Sequence, residues 1–195
     1  MDPIAVIPLK SFEVAKERLA GALAPEQRAI LARATADHVV ASCRLAGFDL
    51  VVVTGDPTVA RWADERAATI VRDTGSGLDA ACDAGIALNP SGWVVVHGDL
   101  PLLQGKSMEH VRDHLAAERG VIAPARDGGT NVLGATRRVE LGYGPGSFHR
   151  HLKALAGHPA IVLTGPDTAI EIDTPEDLIA AAALPGGGWL SPFLS

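Results

Sequence analysis

Short runs of β-branched and aliphatic residues alternate along this chain with segments whose apolar positions recur at helical spacing. Ile4–Ile7, closed by Pro8, reads as the first strand. Phe12, Val14, Ala15, Leu19 and Leu23 beyond it allow a short helix. Pro25 opens the next segment, and Glu26 to Ala46 carries Ile30, Leu31, Ala34, His38 and Val39 at helical positions, with Gly47 as the stop. Leu50–Thr54 predicts a strand buried on both faces. Further strands are expected at Thr69–Arg72, Trp93–His97, Val121–Pro124, Val132–Arg137, Ala160–Leu163 and Ile170–Ile172. Helices are expected from Pro57 to about Ala67, Leu78–Leu88, Lys106 to about Arg119, Ser147–Ala156 and Pro175–Ala183. Strands alternating with helices imply one α/β domain with a mostly parallel sheet flanked by helices.

The length of 195 residues suits one domain, and the 47% of hydrophobic residues can fill a substantial core. Lys plus Arg is 17 against 23 Asp plus Glu, a net charge of −6. An acidic chain without a basic stripe is not a nucleic-acid-coating protein. No apolar run reaches a membrane-spanning length, and no basic segment leads an apolar stretch at the start. The expected location is therefore the cytoplasm, without a membrane or nucleic-acid partner. Cys43 and Cys82 form no disulfide framework or metal cluster pattern. The tail 185–195 carries Trp189, Leu190, Phe193 and Leu194, which suit docking on the domain itself or a dimer contact. Both monomer and homodimer remain open on the sequence.

In an open α/β sheet, ligands bind outside the carboxyl ends of the strands. After the first strand come Lys10, Lys16 and Arg18, three cations able to surround a polyphosphate, or else a solvated helix face. The phosphate loop of P-loop NTPases is missing. After Trp93–His97 comes Gly98-Asp99-Leu100-Pro101, a carboxylate placed to hold Mg²⁺ or to cap the following turn. Asp173 is a second such carboxylate and also suits the N-cap of the helix at Pro175. Together they suggest a metal clamp from two distant chain segments. Arg126-Asp127-Gly128-Gly129-Thr130-Asn131 and Tyr143-Gly144-Pro145-Gly146-Ser147-Phe148 are tight turns, the second leading into a helix N-terminus suited to an anion. His149, His151 and His158 are expected in solvent, and His97 points the same way along its strand as Asp99. No nucleophile elbow is present.

Taken in order, Pro8-Leu9-Lys10, Ala15-Lys16-Glu17-Arg18-Leu19, Gly77-Leu78-Asp79-Ala80-Ala81, Asp99-Leu100-Pro101-Leu102, Asp127-Gly128-Gly129-Thr130-Asn131, Gly144-Pro145-Gly146-Ser147-Phe148 and Ile172-Asp173-Thr174-Pro175-Glu176-Asp177 resemble the 2-phospho-L-lactate / phosphoenolpyruvate guanylyltransferases of coenzyme F-420 biosynthesis. The resemblance covers about residues 4–183. It implies a nucleotide-diphospho-sugar-transferase-like fold, with GTP and a three-carbon phospho-acid as substrates. Phosphoenolpyruvate, 2-phospho-L-lactate and 3-phosphoglycerate are the candidate acids. The metal carboxylates would be Asp99 and Asp173, holding Mg²⁺. The acid contacts would be Thr130, Gly144 and Ser147, with Ser147 capping its helix. The nucleotide would meet Lys10, Lys16, Arg18, Gly77 and Asp79.

The implied chemistry is attack of a substrate phosphate oxygen on the α-phosphorus of GTP, with pyrophosphate leaving. Lys10 and Lys16 would act catalytically beside Asp99 and Asp173, and Arg18 with the lysines would offset charge on the leaving group. Asp79 would accept from guanine N1–H and N2–H₂, or serve only as an acidic residue in a helix's first turn. Other nucleotidyltransferases, such as cytidylyltransferases or molybdopterin-type guanylyltransferases, usually carry a Gly-rich first loop, and residues 8–18 have no glycine. A non-catalytic nucleotide-binding module or a structural protein of the same fold is the remaining alternative.

Overall fold

The structure is a computed structural model that describes residues 2–194. Strand β1 (Ile4–Pro8) is followed by helix α1 (Pro25–Leu45), β2 (Asp49–Thr54), α2 (Pro57–Asp64) and β3 (Thr69–Arg72). Next come α3 (Leu78–Ile86), β4 (Trp93–Val96), α4 (Gly105–Ala116), β5 (Gly120–Pro124) and β6 (Thr130–Ala135). The chain closes with α5 (Ser147–Ala154), β7 (Ala160–Val162), the short α6 (Pro166–Ala169) and α7 (Pro175–Ala182). A 3₁₀ segment, Gly187–Phe193, completes the described chain.

The strands make one seven-stranded sheet in the order β3-β2-β1-β4-β6-β5-β7. β6 runs antiparallel to both β4 and β5, and the remaining pairs are parallel. Alternate residues of the central strands point to opposite faces. Ile7, Val52, Val94 and Val96 meet α1, α2 and α4 on one face. Val6, Val51, Val53 and Val95 meet α3 on the other. Burial on both faces explains why these strands read as continuous apolar runs rather than alternating ones. α3 packs tightly on β1, where a Cβ on Gly85 would come within 2.5 Å of Val6. Helix α2 starts where Asp56 Oδ1 accepts the backbone N–H groups of Thr58 and Val59. Among the described residues, no helix is long and apolar enough to cross a membrane.

Two expected elements differ. The segment after Phe12 forms only a 3₁₀ turn, Glu17–Leu19, entered through Lys16 at φ 60°. Ile170–Ile172 is no strand. Ile170 and Ile172 are buried as the alternating pattern demands, but the segment gains a single long-range backbone bond, Ile172 N–H to Asp99 O at 3.3 Å, instead of a ladder. Its burial comes from a third, smaller core. There Leu19, Leu102, Ile172, Leu178 and Leu190 meet beyond the carboxyl ends of the strands.

Candidate active site

A cavity of about 460 Å³ opens at the carboxyl ends of β1, β2 and β4. Leu9, Phe12, Val53, Leu78 and Ala81 form its apolar wall, and Lys10, Lys16, Asp73, His97, Asp99 and Asp173 supply charge and polarity. Of the residues expected at a nucleotide, Lys10, Lys16 and Gly77 line it, while Arg18 and Asp79 do not; the expected metal carboxylates Asp99 and Asp173 line it as well.

Its charged end is a four-residue cluster drawn from three segments far apart in sequence. Lys16 Nζ donates to Asp99 Oδ2 at 2.9 Å and lies 3.6 Å from Asp173 Oδ1. Arg18 stands 3.7 Å from the other oxygen of Asp173. The left-handed backbone at Lys16 costs a non-glycine residue about 1 kcal/mol or more. The turn it makes aims the ammonium inward, where its side chain keeps only 7% of its exposure. The two carboxylates thus meet as expected, on either side of Lys16. Asp173 does not cap α7. Thr174 does so, accepting from Asp177 N–H while Asp177 Oδ2 accepts from Thr174. That capping box frees Asp173 for the cations.

The cluster is unfinished on one side. Asp99 Oδ1 and His97 Nε2 are buried without a hydrogen-bond partner. Asp99, His97 and Glu171 each place one ligand atom within 4.8 Å of the others. Burial and the neighbouring Asp99 and Asp173 charges push the Glu171 carboxyl up to about 8. Burial alone would also raise Asp99, but Lys16 and His97 beside it hold it below the ordinary carboxylate range. Unpartnered oxygen and crowded carboxylates are what a divalent cation would relieve, so the donor set fits Mg²⁺. Glu171 was invisible as a candidate in the sequence. Strand alternation would put it on the same side as Asp173, but nothing in the sequence brought that side to Asp99; in the structure Ile170 and Ile172 face the small core and Glu171 faces the cluster.

The expected acid-binding residues behave differently. Thr130, at the start of β6, and Ser147, the first residue of α5, are both fully buried. Ser147 Oγ donates to Thr130 Oγ1 at 3.1 Å, and His151 Nδ1 lies 3.0 Å from the same oxygen. His151 Nε2 accepts the Gly142 N–H at 2.9 Å, so the ring proton sits on Nδ1 and points at Thr130. Burial lowers His151 to about 4, consistent with this neutral ring. His151 is therefore buried, not solvent-exposed as its sequence suggested, whereas His149 and His158 are exposed. Ser147 is not the cap of α5, because Gly146 occupies that position with no side-chain bond. Gly144, at φ 111°, is exposed, and none of Thr130, Gly144 or Ser147 lines the cavity described above.

Two residues connect the halves. Asp79 Oδ1 accepts the Tyr143 N–H at 2.7 Å, tying the start of α3 to the loop before α5. That oxygen is committed to the backbone, not free for a base. The Tyr143 ring lies 5.4 Å from His97 and 4.7 Å from His151, and its buried hydroxyl has no partner. Neither the Tyr143 bridge nor the bonded His151 ring carries a sequence signal beyond residue type.

A doubly covered sheet with a cavity across its strand ends, and cations and carboxylates converging at one end of it, is a setting suited to a nucleotide's phosphates. Comparison with known proteins agrees and goes further. The family model described as guanylyl transferase CofC like matches residues 4–187. The chain belongs to that family and is a guanylyltransferase. It is 34% identical over 190 residues to the phosphoenolpyruvate guanylyltransferase of Sphaerobacter thermophilus, covering 91% of each chain. It is 25% identical to the 2-phospho-L-lactate guanylyltransferase of Methanocaldococcus infernus, covering 89% of this chain and 81% of that one. The fold matches a Desulfovibrio desulfuricans protein described as a nucleotide-diphospho-sugar transferase, with a TM-score of 0.81 at 16% identity over 98% and 95% of the two chains.

Proposed function

We propose that the protein transfers GMP from GTP to the phosphate of phosphoenolpyruvate and releases pyrophosphate, as a step towards coenzyme F-420, in the cytoplasm. The observation that carries this reading is the cluster of Lys16, Asp99 and Asp173, with Arg18 beside it, at one end of a cavity with an apolar wall at Leu9, Phe12, Val53 and Leu78. The higher identity to relatives named for phosphoenolpyruvate supports that acid over 2-phospho-L-lactate.

The two reactants are both anions, so positioning and charge neutralisation are the main tasks. The apolar wall at Leu9, Phe12, Val53 and Leu78 takes the nucleoside. Lys10 and Lys16 meet the phosphates. One oxygen of the acid's phosphate attacks the α-phosphorus of GTP. The bond from that phosphorus to the bridging oxygen breaks, and Lys10, Lys16 and Arg18 offset the charge that the pyrophosphate carries away. Asp99 and Asp173, with Glu171 beside them, are the residues that would hold Mg²⁺, which neutralises phosphate charge when bound. The loop at Gly144 and the N-terminal end of α5 receive the carboxylate end of the acid. Thr130 and Ser147 act there by shaping the loop, since their hydroxyls already bond each other.

The test is pyrophosphate release with GTP, ATP, CTP and UTP against phosphoenolpyruvate, 2-phospho-L-lactate and 3-phospho-D-glycerate, with mass spectrometry of the product. The expected result is a guanosine diphospho-adduct of phosphoenolpyruvate, formed with GTP alone. Adduct formation only from 2-phospho-L-lactate would change the acid. CMP transfer from CTP would overturn the assignment of the nucleotide.

A further inference from the structure

The matched family model ends at Gly187, and the segment that follows closes the small core behind the charged cluster. Each charged segment contributes apolar side chains to that core. Leu19 follows Lys16 and Arg18, Leu102 follows Asp99, and Ile172 lies between Glu171 and Asp173. Leu190 is fully buried among them, with Trp189 and Phe193 packed against the rim. Trp189 Nε1 also donates to Pro101 O at 3.2 Å, two residues beyond Asp99. Its ring stacks on His38 of α1, centroids 5.9 Å apart. The Asp99 loop is held from two more sides, by Ser42 Oγ to Leu103 O at 2.7 Å and by Ile172 N–H to Asp99 O. Entry to the tail is fixed sterically. A Cβ on Gly187 would lie 1.9 Å from the Ala181 carbonyl oxygen, so only glycine lets the chain turn back along α7.

We infer that the C-terminal segment is a brace that sets the spacing of Lys16, Asp99 and Asp173, and that Trp189 is a positioning residue for the transfer reaction. Trp189 touches neither reactant. It fixes the backbone that carries Asp99, and the shared core passes any movement to Ile172 and Leu19. This rests on the reaction proposed above. A displacement of about 1 Å in such a cluster is enough to cost up to a hundredfold in rate.

Trp189→Phe keeps an aromatic ring beside His38 and removes the N–H donor together with part of the indole's packing surface. Gly187→Ala leaves every side chain of the tail intact and disturbs its seat on α7. Both are compared with wild type for kcat, for KM of GTP, for Mn²⁺ affinity by calorimetry without nucleotide, and for Tm. Trp189→Phe is expected to lower Tm by about 4–8 °C, the scale of one lost hydrogen bond plus about 1 kcal/mol of lost ring packing in a domain of this size. Its kcat should fall about tenfold or more with GTP KM unchanged, and Mn²⁺ should bind more weakly. Gly187→Ala should move the same quantities in the same direction and further. Wild-type kcat and Mn²⁺ affinity in Trp189→Phe, whatever its Tm, would overturn the inference. The wild-type assay keeps the two proposals apart. Lack of any transfer by wild type removes the proposed reaction, while the Mn²⁺ affinities of the variants still decide whether the tail sets the cluster.

Discussion

The two halves of the candidate site are built on opposite principles. At the ends of β1 and β4, Lys16 bridges two carboxylates while Asp99 Oδ1 and His97 Nε2 stay buried without partners and Glu171 is crowded by like charges. At the start of α5, Ser147, Thr130, His151 and Gly142 satisfy one another in a closed chain of hydrogen bonds. An unpartnered buried polar atom costs about 1–3 kcal/mol, so the first half is poised to gain from a ligand. The second half has already made its bonds. It can hold a loop in shape, and what it offers a ligand is backbone. A buried histidine occurs in both, unpartnered at His97 and fully bonded at His151, and partner accounting tells the two clusters apart.

The largest expected effects break the charged half. Asp99→Asn and Asp173→Asn should fold and lose at least about two orders of magnitude in turnover, the scale of removing one strong electrostatic contact. Near-wild-type pyrophosphate release from folded Asp99→Asn would erase the distinction between the halves. Lys16→Gln sharpens it through two opposite signs. Turnover should fall about tenfold or more, because the ammonium no longer meets the phosphates. Mn²⁺ binding without nucleotide should become tighter, because the ammonium no longer competes for Asp99 and Asp173. Weaker Mn²⁺ binding in Lys16→Gln would show that the lysine organises the carboxylates rather than occupying them.

Effects in the closed half should fall first on stability. The His151 ring has its folded pKa lowered by burial from 6.5 to about 4. The unfolded chain therefore takes up the proton first, and the stabilisation from a neutral ring is fully present above about pH 6.5 and lost as pH falls towards 4. The full difference is about 3 kcal/mol. Denaturant titrations of wild type and His151→Gln between these limits should converge as pH falls. Parallel curves would mean that the ring does not titrate with unfolding. Ser147→Ala should raise the KM of the phospho-acid several-fold, as expected for loss of about 1 kcal/mol of loop-holding bond, and leave the KM of GTP alone. An equal rise for both would place Ser147 outside the acid's half.

Asp79 gives the smallest effect and the finest test. Its carboxylate holds the Tyr143 N–H, so Asp79→Asn, which keeps an acceptor, should behave as wild type, and Asp79→Ala should loosen the loop before α5. The ratio of kcat/KM for GTP to that for ATP should be unchanged in both. A fall in that ratio would return Asp79 to the base and would mean that the second carboxylate oxygen, not the first, selects guanine.

Sequence alone determined the parts of this protein that depend on neighbours along the chain. The β-branched runs at Leu50–Thr54 and Trp93–Val96 and the helical spacing of residues 26–46 read correctly because periodicity and burial are local properties. Lys16, Asp99 and Asp173 stood out because each follows an apolar run at a position where open sheets present ligands. Tertiary structure decided everything that depends on pairing. β6 was legible as a strand, but its antiparallel course between β4 and β5 was not, since direction is set by hydrogen-bond partners far away in sequence. Ile170–Ile172 had a strand's alternation and found no neighbouring strand to complete a ladder. The same outcome turned Glu171 towards Asp99. His151, polar and set among charged neighbours on α5, looked like a surface residue. Its burial arises because Thr130 and Gly142, brought from another strand and a loop, satisfy both ring nitrogens at once.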